Sequence, residues 1–210
     1  MDYIVLIGDI IASKEITDRL NFQKRFTEVL SKPNSQFSNS MISPLTLTIG
    51  DEFQTVLWEA TNLFNIITLI ERSIPEVSLR YGIGLGTIDT EINTESAIGM
   101  DGPAFHFART AVEIARRGKK MFHFNCEAQN LQDRINILLN WLDITLKKWT
   151  AQRKDIFDLY NENKSQQEIS SILKITQPAV SQNVNERTFK LVAATENIIE
   201  NELNQILQSQ

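Results

Sequence analysis

LTLTIGDEFQTVL (45–57) sets two runs of β-forming residues on either side of a turn that carries two neighbouring acids, Asp51 and Glu52. Thr46 and Thr48 alternate with Leu45, Leu47 and Ile49, the period of a half-buried strand, and FQTVL resumes three residues later. The stretch predicts a β-hairpin whose loop is Gly50-Asp51-Glu52. Gly-Asp-Glu is also good turn chemistry. The acids alone therefore leave two readings open: a plain turn, or a turn that offers carboxylates to a cation.

What decides between them is whatever else reaches the same spot. YIVLIG (3–8) is continuously apolar, as in a strand buried on both faces, and it runs directly into Asp9. If the hairpin lies beside this strand, Asp9 and Asp51 meet at one sheet edge. Two carboxylates a few ångströms apart repel unless a proton or a cation separates them. Hard oxygen donors suit Mg²⁺ or Mn²⁺, which fills its shell with phosphate oxygens, so a nucleotide or another phosphate ligand is the natural third party. The plain alternative is that Asp9 caps a following helix.

Outward from these strands the pattern alternates. Ile16, Leu20, Phe26, Val29 and Leu30 recur at helical spacing up to Pro33, and the Ser/Asn/Pro-rich stretch 31–44 is the nearest thing to a linker. Helices are predicted over 58–72, over 102–118 with Pro103 at the start and Gly118 as C-cap, and over 131–149. VSLRYGIGLGTI (77–88) and KMFHFN (120–125) read as strands. Gly82, Gly84 and Gly86 are spaced G-x-G-x-G with no helix opening behind them, which is not a dinucleotide loop. Glycines inside a strand mark a close approach to the backbone. The order β-α-β-β-α-β-α-β-α is that of an α+β sandwich with a partly antiparallel sheet.

At 210 residues with 42% hydrophobic and 22% charged residues, the chain has the composition of a globular protein with a sizeable core. The single cysteine, Cys126, cannot form an internal disulfide and reads as an inert thiol in a reducing compartment. Two histidines and one cysteine are too few for a closed zinc site. MDYIVLIGD (1–9) lacks a basic leader, and LFNIITLI (63–70) falls far short of the ~20 apolar residues that cross a bilayer. Together these predict a cytoplasmic protein with no membrane partner. Arg116, Arg117, Lys119 and Lys120 flank a helix end, where cations complement the negative end of the dipole. Asp89, Glu91, Asn93 and Glu95 alternate as in a calcium loop but lack its central glycine.

The last quarter differs in charge. Residues 146–190 hold eight Lys/Arg and five Asp/Glu, a net of +3, inside a chain whose formal net charge is −5. Ser165 with Glu168 forms a capping box; Ile169, Ile172 and Leu173 face inward; Lys174-Ile175-Thr176 makes a turn; Thr176 caps a second helix with Pro178 in its first turn. Val180 and Val184 pack beneath that helix, which leaves Gln177, Ser181, Gln182, Asn185 and Lys190 outward to meet base edges and phosphates. Lys174 stands where a turn glycine is usual and must accept a left-handed backbone. A final helix over 192–207 carries Ile198, Ile199, Leu203, Ile206 and Leu207. This region resembles the helix-turn-helix of sigma-factor-like bacterial regulators; its alternative is a helical bundle for dimer packing.

GDI (8–10), TIGDEF (48–53), GIGLGTI (82–88) and GPAFHFARTA (102–111) resemble, in this order, the palm of class III nucleotidyl cyclases, and GDEF resembles diguanylate (GGDEF) cyclases, which share it. GDIIASKE (8–15), GDEFQ (50–54) and GMDGPAFHFAR (99–109) together are similar to the SatD family of bacterial proteins, a presumed regulator group. The resemblance implies a cyclase-like, ferredoxin-like palm over 1–145 and a helix-turn-helix domain with a C-terminal helix over 146–210. It implies Asp9 and Asp51 as metal ligands for Mg²⁺ or Mn²⁺, with the Ile10 carbonyl added, Glu52 and His106 beside a ligand, Arg109 as the transition-state arginine, and a homodimer. Leu47 stands where ATP-using cyclases carry a base-selecting lysine, and Phe105 or His106 where they carry a ribose-holding asparagine. The combined expectation is a DNA-binding regulator with a degenerate cyclase-like domain that takes a metal or phosphate ligand. The alternative is an active cyclase whose helical tail serves assembly or control.

Overall fold

The apolar run becomes β1 (Tyr3–Ile10), the middle strand of a five-stranded sheet in the computed structural model, which describes residues 1–48 and 50–209. The strands that follow are β2 (Met41–Leu47), β3 (Glu52–Leu57), β4 (Leu79–Gly86) and β5 (Phe122–Asn125). Their spatial order is β2-β3-β1-β4-β5, antiparallel throughout except for the parallel pair β4 and β5. The hairpin forms as expected, closed by the Thr48 N–H donating to the Glu52 carbonyl, with Glu52 already the first residue of β3. Ile49, read as the last residue of the first hairpin strand, lies outside the described residues.

Strand alternation then sorts the faces. Ile4, Leu6, Phe53, Leu57, Tyr81 and Ile83 belong to the larger core, together with α1 (Arg19–Gln36) and α2 (Leu63–Ser73). Val5, Ile7 and Val56 face the opposite side, where Ala104, Phe105, Ala108 and Val112 of α3 (Pro103–Arg117) cover them. The glycines of β4 are what let α3 sit so near. A Cβ on Gly84 would stand 2.2 Å from the Ala104 carbonyl oxygen, and one on Gly82 would stand 2.4 Å from the Val112 nitrogen.

Several boundaries differ from expectation. α1 runs through Pro33 to Gln36, so the stretch read as a linker is instead helix end, a 3₁₀ turn and β2. Pro33 loses one ladder bond at its own nitrogen but its carbonyl still accepts from Phe37, and the buried ring packs in the core. Pro44 is tolerated because β2 is an edge strand. α2 begins at Leu63 rather than at Trp58, whose indole instead donates to the Asn39 carbonyl. Gly118 ends α3 in a right-handed conformation, with the left-handed one taken by Lys119.

After α4 (Gln129–Leu146) come four helices: α5 (Ala151–Asn161), α6 (Gln166–Leu173), α7 (Gln177–Asn185) and α8 (Arg187–Gln208). α4 stops three residues short of Trp149, which stacks with Phe189 and meets Phe157 edge-on. α8 returns to the sheet domain: Asn204 accepts from the Ala60 N–H at 2.6 Å and Glu200 from the Phe64 N–H at 3.1 Å. Glu200 thereby satisfies a free N–H in the first turn of α2, which no local side chain caps, and Asn204 holds the segment just before it. Ile156, Phe157, Ile199 and Leu203 consequently join the same core as Ile4 and Leu6.

Candidate functional site

At the carboxyl end of β1, Asp9 is paired across the sheet with Glu52 on β3 and with Arg80 on β4. Residues directly opposite in a sheet share a face, so Glu52, Asp9 and Arg80 form one charged row on the side covered by α3. The Asp9 carboxylate is 6% exposed, and its Oδ2 accepts from Arg80 Nη1 at 2.6 Å and lies 3.1 Å from Arg116 Nη2. Arg109, two helical turns before Arg116, donates to Glu52 Oε1 at 2.7 Å. Two acids thus meet three guanidinium groups, one buried and two about half exposed.

The hairpin loop closes the same end. The Ile10 N–H donates to the Asp51 carbonyl at 3.3 Å, which brings the Asp51 main chain to the end of β1. The Asp9 carboxylate, however, is held by arginine. Asp9, Ile10, Asp51, Glu52 and Arg109 are therefore brought to one end of the sheet. His106, one helical turn before Arg109, instead pairs its exposed Nε2 with Asp101 at 3.0 Å.

Sequence reasoning missed Arg80 and read Arg116 only as a helix-end cation. A signal was present: Arg80 is two residues before Gly82 in a period-2 strand, and so shares the face on which the glycines receive α3.

The oxygen donors at this end are of a type that suits Mg²⁺ or Mn²⁺, but their charge does not ask for one. Asp9, Asp51 and Glu52 are already balanced in number by Arg80, Arg109 and Arg116, and a dication would sit beside the buried Arg80. Among the described residues no three His, Cys, Asp or Glu are grouped as a metal centre needs. The residues do not fit a divalent cation in this arrangement.

The helical region shows where its predicted residues lie. Ser165 accepts from the Glu168 N–H while Glu168 returns to the Ser165 N–H, a complete capping box. These bonds hold the Glu168 carboxyl below its usual range. Lys174 adopts φ 53°, the left-handed backbone its position demands, and Thr176 caps α7 through the Ala179 N–H. Val180 and Val184 are buried beneath α7; Gln177, Gln182, Asn185 and Lys190 are exposed and Ser181 partly so. Ile172, expected inward, is 50% exposed although Ile169, three residues earlier, is fully buried; Ile198 is exposed likewise, beside buried Ile199. Cys126 is buried, which pushes its thiol up.

A third cluster joins the two regions. Asp158 on α5 and Glu196 and Glu200 on α8 line a polar cleft of about 630 Å³ and its neighbour, together with Asn65, Tyr160 and Asn161, and the charge of Glu71 on α2 acts on Asp158. Burial pushes Glu71 and Asp158 up to about 7 and Glu200 to about 8, and pushes Glu196 well above the carboxylate range. Lys154 and Arg72 oppose the shift at Glu71 and Asp158, while Asp155 and Glu162 reinforce it at Asp158. Acids raised in the folded state hold protons that the unfolded chain releases, so stability falls as pH rises through the folded values. Thermal melts are expected to give the highest Tm near pH 5 and a loss by pH 8.5 of ~4–8 °C, the equivalent of ~2 kcal/mol in a chain of this size. Glu200→Gln with Asp158→Asn should flatten that profile; a double variant as steep as the parent would show the cluster is not its source.

No helix among the described residues is long and apolar enough to cross a membrane. The sequence matches the SatD family over residues 3–203. No curated protein matches it. In fold it is similar to a bacterial light-regulated adenylyl cyclase, at 16% identity over 59% of this chain and 74% of that one, TM-score 0.45. It is similar also to a dimeric guanylyl cyclase domain of the RhoGC fusion protein from the aquatic fungus Blastocladiella emersonii, at 14% identity over 53% of this chain and 73% of that one, TM-score 0.42. A third likeness is to the guanylate cyclase domain of RhGC from Catenaria anguillulae, at 15% identity over 53% and 72%, TM-score 0.39.

Proposed function

The chain belongs to the SatD family, and from that premise we propose that it is a cytoplasmic transcriptional regulator. Its helical domain (146–210) binds DNA, and its palm-like domain (1–145) holds a phosphate-bearing ligand without turning it over. The observation that carries the DNA reading is the α6–α7 unit. Both helices are capped, the corner is fixed by a left-handed Lys174, and Val180 and Val184 pin α7 so that its polar face is free. That is how a recognition helix is presented to a major groove. Arg153 on α5 stacks on Trp149 at 4.7 Å and bonds Thr188 and Glu186, which fastens α5 to the junction of α7 and α8. Since a net +3 supplies few phosphate contacts, two copies on one site are part of the reading.

The test is retardation of DNA fragments as a function of salt. Lys190→Ala is expected to weaken binding to all fragments and to reduce the slope of log K against log salt by ~0.9. Gln182→Ala should change fragment preference and leave that slope alone. No retardation at low salt would remove the DNA reading.

A second reading, a metal-dependent nucleotidyl cyclase, is favoured by one observation: Asp9, Ile10, Asp51 and Arg109 reach the same end of the sheet. Incubation with ATP or GTP and Mn²⁺, followed by chromatography, tests it. Cyclic product would establish turnover, and its absence at high protein concentration would leave the regulator.

A further inference from the structure

We infer that the end of the sheet is a polyphosphate site that works without a divalent cation, with the Arg80 guanidinium as its fixed, built-in counter-charge. The inference rests on the ligand reading above and goes beyond it in stating how the ligand is held.

Arg80 is buried to 7% exposure, yet its Nε–H has no partner among the described residues. A buried guanidinium proton without an acceptor is costly, so its neighbourhood is one that an added anion would stabilise. Arg80 cannot leave, because it is a strand residue fixed by its pairing with Asp9. Arg109 and Arg116 are placed differently. Each touches one carboxylate while its side chain stays 52% and 54% exposed, so each keeps N–H groups free to turn onto a ligand. Their seven-residue separation is two turns, about 10.5 Å, enough to bracket a chain of phosphoryl groups between them.

The charges agree. Asp9, Asp51 and Glu52 are matched in number by Arg80, Arg109 and Arg116, and Arg117, Lys119 and Lys120 at the end of α3 add further positive charge. Glu113 is the acid on that helix turned to Arg117. Bidentate, planar guanidinium groups suit phosphate oxygens better than point charges do. A cation between the acids would instead be repelled by Arg80.

Calorimetric titration of the full chain with tripolyphosphate and with GTP, in EDTA and again in Mn²⁺, tests this. Binding in EDTA is expected, weakened at least tenfold by Arg109→Ala and by Arg116→Ala, while circular dichroism is unchanged and Tm falls by no more than ~2–4 °C. Binding that requires Mn²⁺ would overturn the inference and leave the ligand reading standing. Binding in EDTA indifferent to both substitutions would place the anion elsewhere and equally overturn it. No binding in either buffer would remove the ligand reading itself.

Discussion

Gly84→Ala is expected to cost ~3 kcal/mol or more of stability, at the upper end of overpacking effects. The added methyl would meet backbone, not a side chain that can swing away: the Ala104 oxygen at 2.2 Å and the Ala108 nitrogen at 2.4 Å. Relief requires lifting α3 from β4, which would uncover Val5, Ile7 and Val56 on the sheet beneath. Gly82→Ala meets the Ala108 oxygen and Val112 nitrogen at 2.4 Å and should behave alike. Gly86→Ala meets its nearest neighbour at 3.1 Å and should cost ~1 kcal/mol, since the start of the helix can give by a few tenths of an ångström. Urea unfolding of the three variants checks the order. A Gly84→Ala protein within 1 kcal/mol of the parent would mean that α3 is not seated on the strand as described.

Asp9→Ala is the second large effect, expected at ~3–5 kcal/mol, because it strands the Arg80 charge in a buried position. Arg80→Ala should cost less, since Arg116 would still neutralise Asp9. Arg116→Ala alone should cost under ~1 kcal/mol, as for any pair with a half-exposed partner. The double change Asp9→Leu with Arg80→Leu is expected to recover most of the loss, because a well-packed apolar pair of similar size replaces a buried ion pair at little net cost. Unfolding midpoints across this cycle check the assignment. If Asp9→Ala proved as mild as a surface substitution, the buried pair would not be what holds this end of the sheet.

The pattern of these residues also shows how far a linear reading reaches. The hairpin, the capping box of Ser165 and Glu168, the Thr176 cap and the left-handed Lys174 were all legible, and so was the meaning of the three glycines in one strand. Each depends on side-chain period or on hydrogen bonds spanning three or four residues. The proximity of Asp9 to the hairpin loop was legible too, from a strand end and a turn. What holds Asp9 was not. Arg80 is 71 residues away, and it meets Asp9 only because β1 lies between β3 and β4. Pro33 and Ile172 misled for a related reason: a proline near a helix end and a third apolar residue on a short helix look local, but packing decides both.

The amino-acid sequence by itself therefore determined the order of elements, the turn chemistry and the caps, because those energies are settled within one turn or one hairpin. The tertiary structure alone decided that Arg80 and Arg116 face Asp9, and that Glu200 and Asn204 fasten the last helix to the start of α2 and the segment before it, across 136 and 144 residues. Contacts at such separations follow from strand order and helix docking, and no local preference along the chain encodes them.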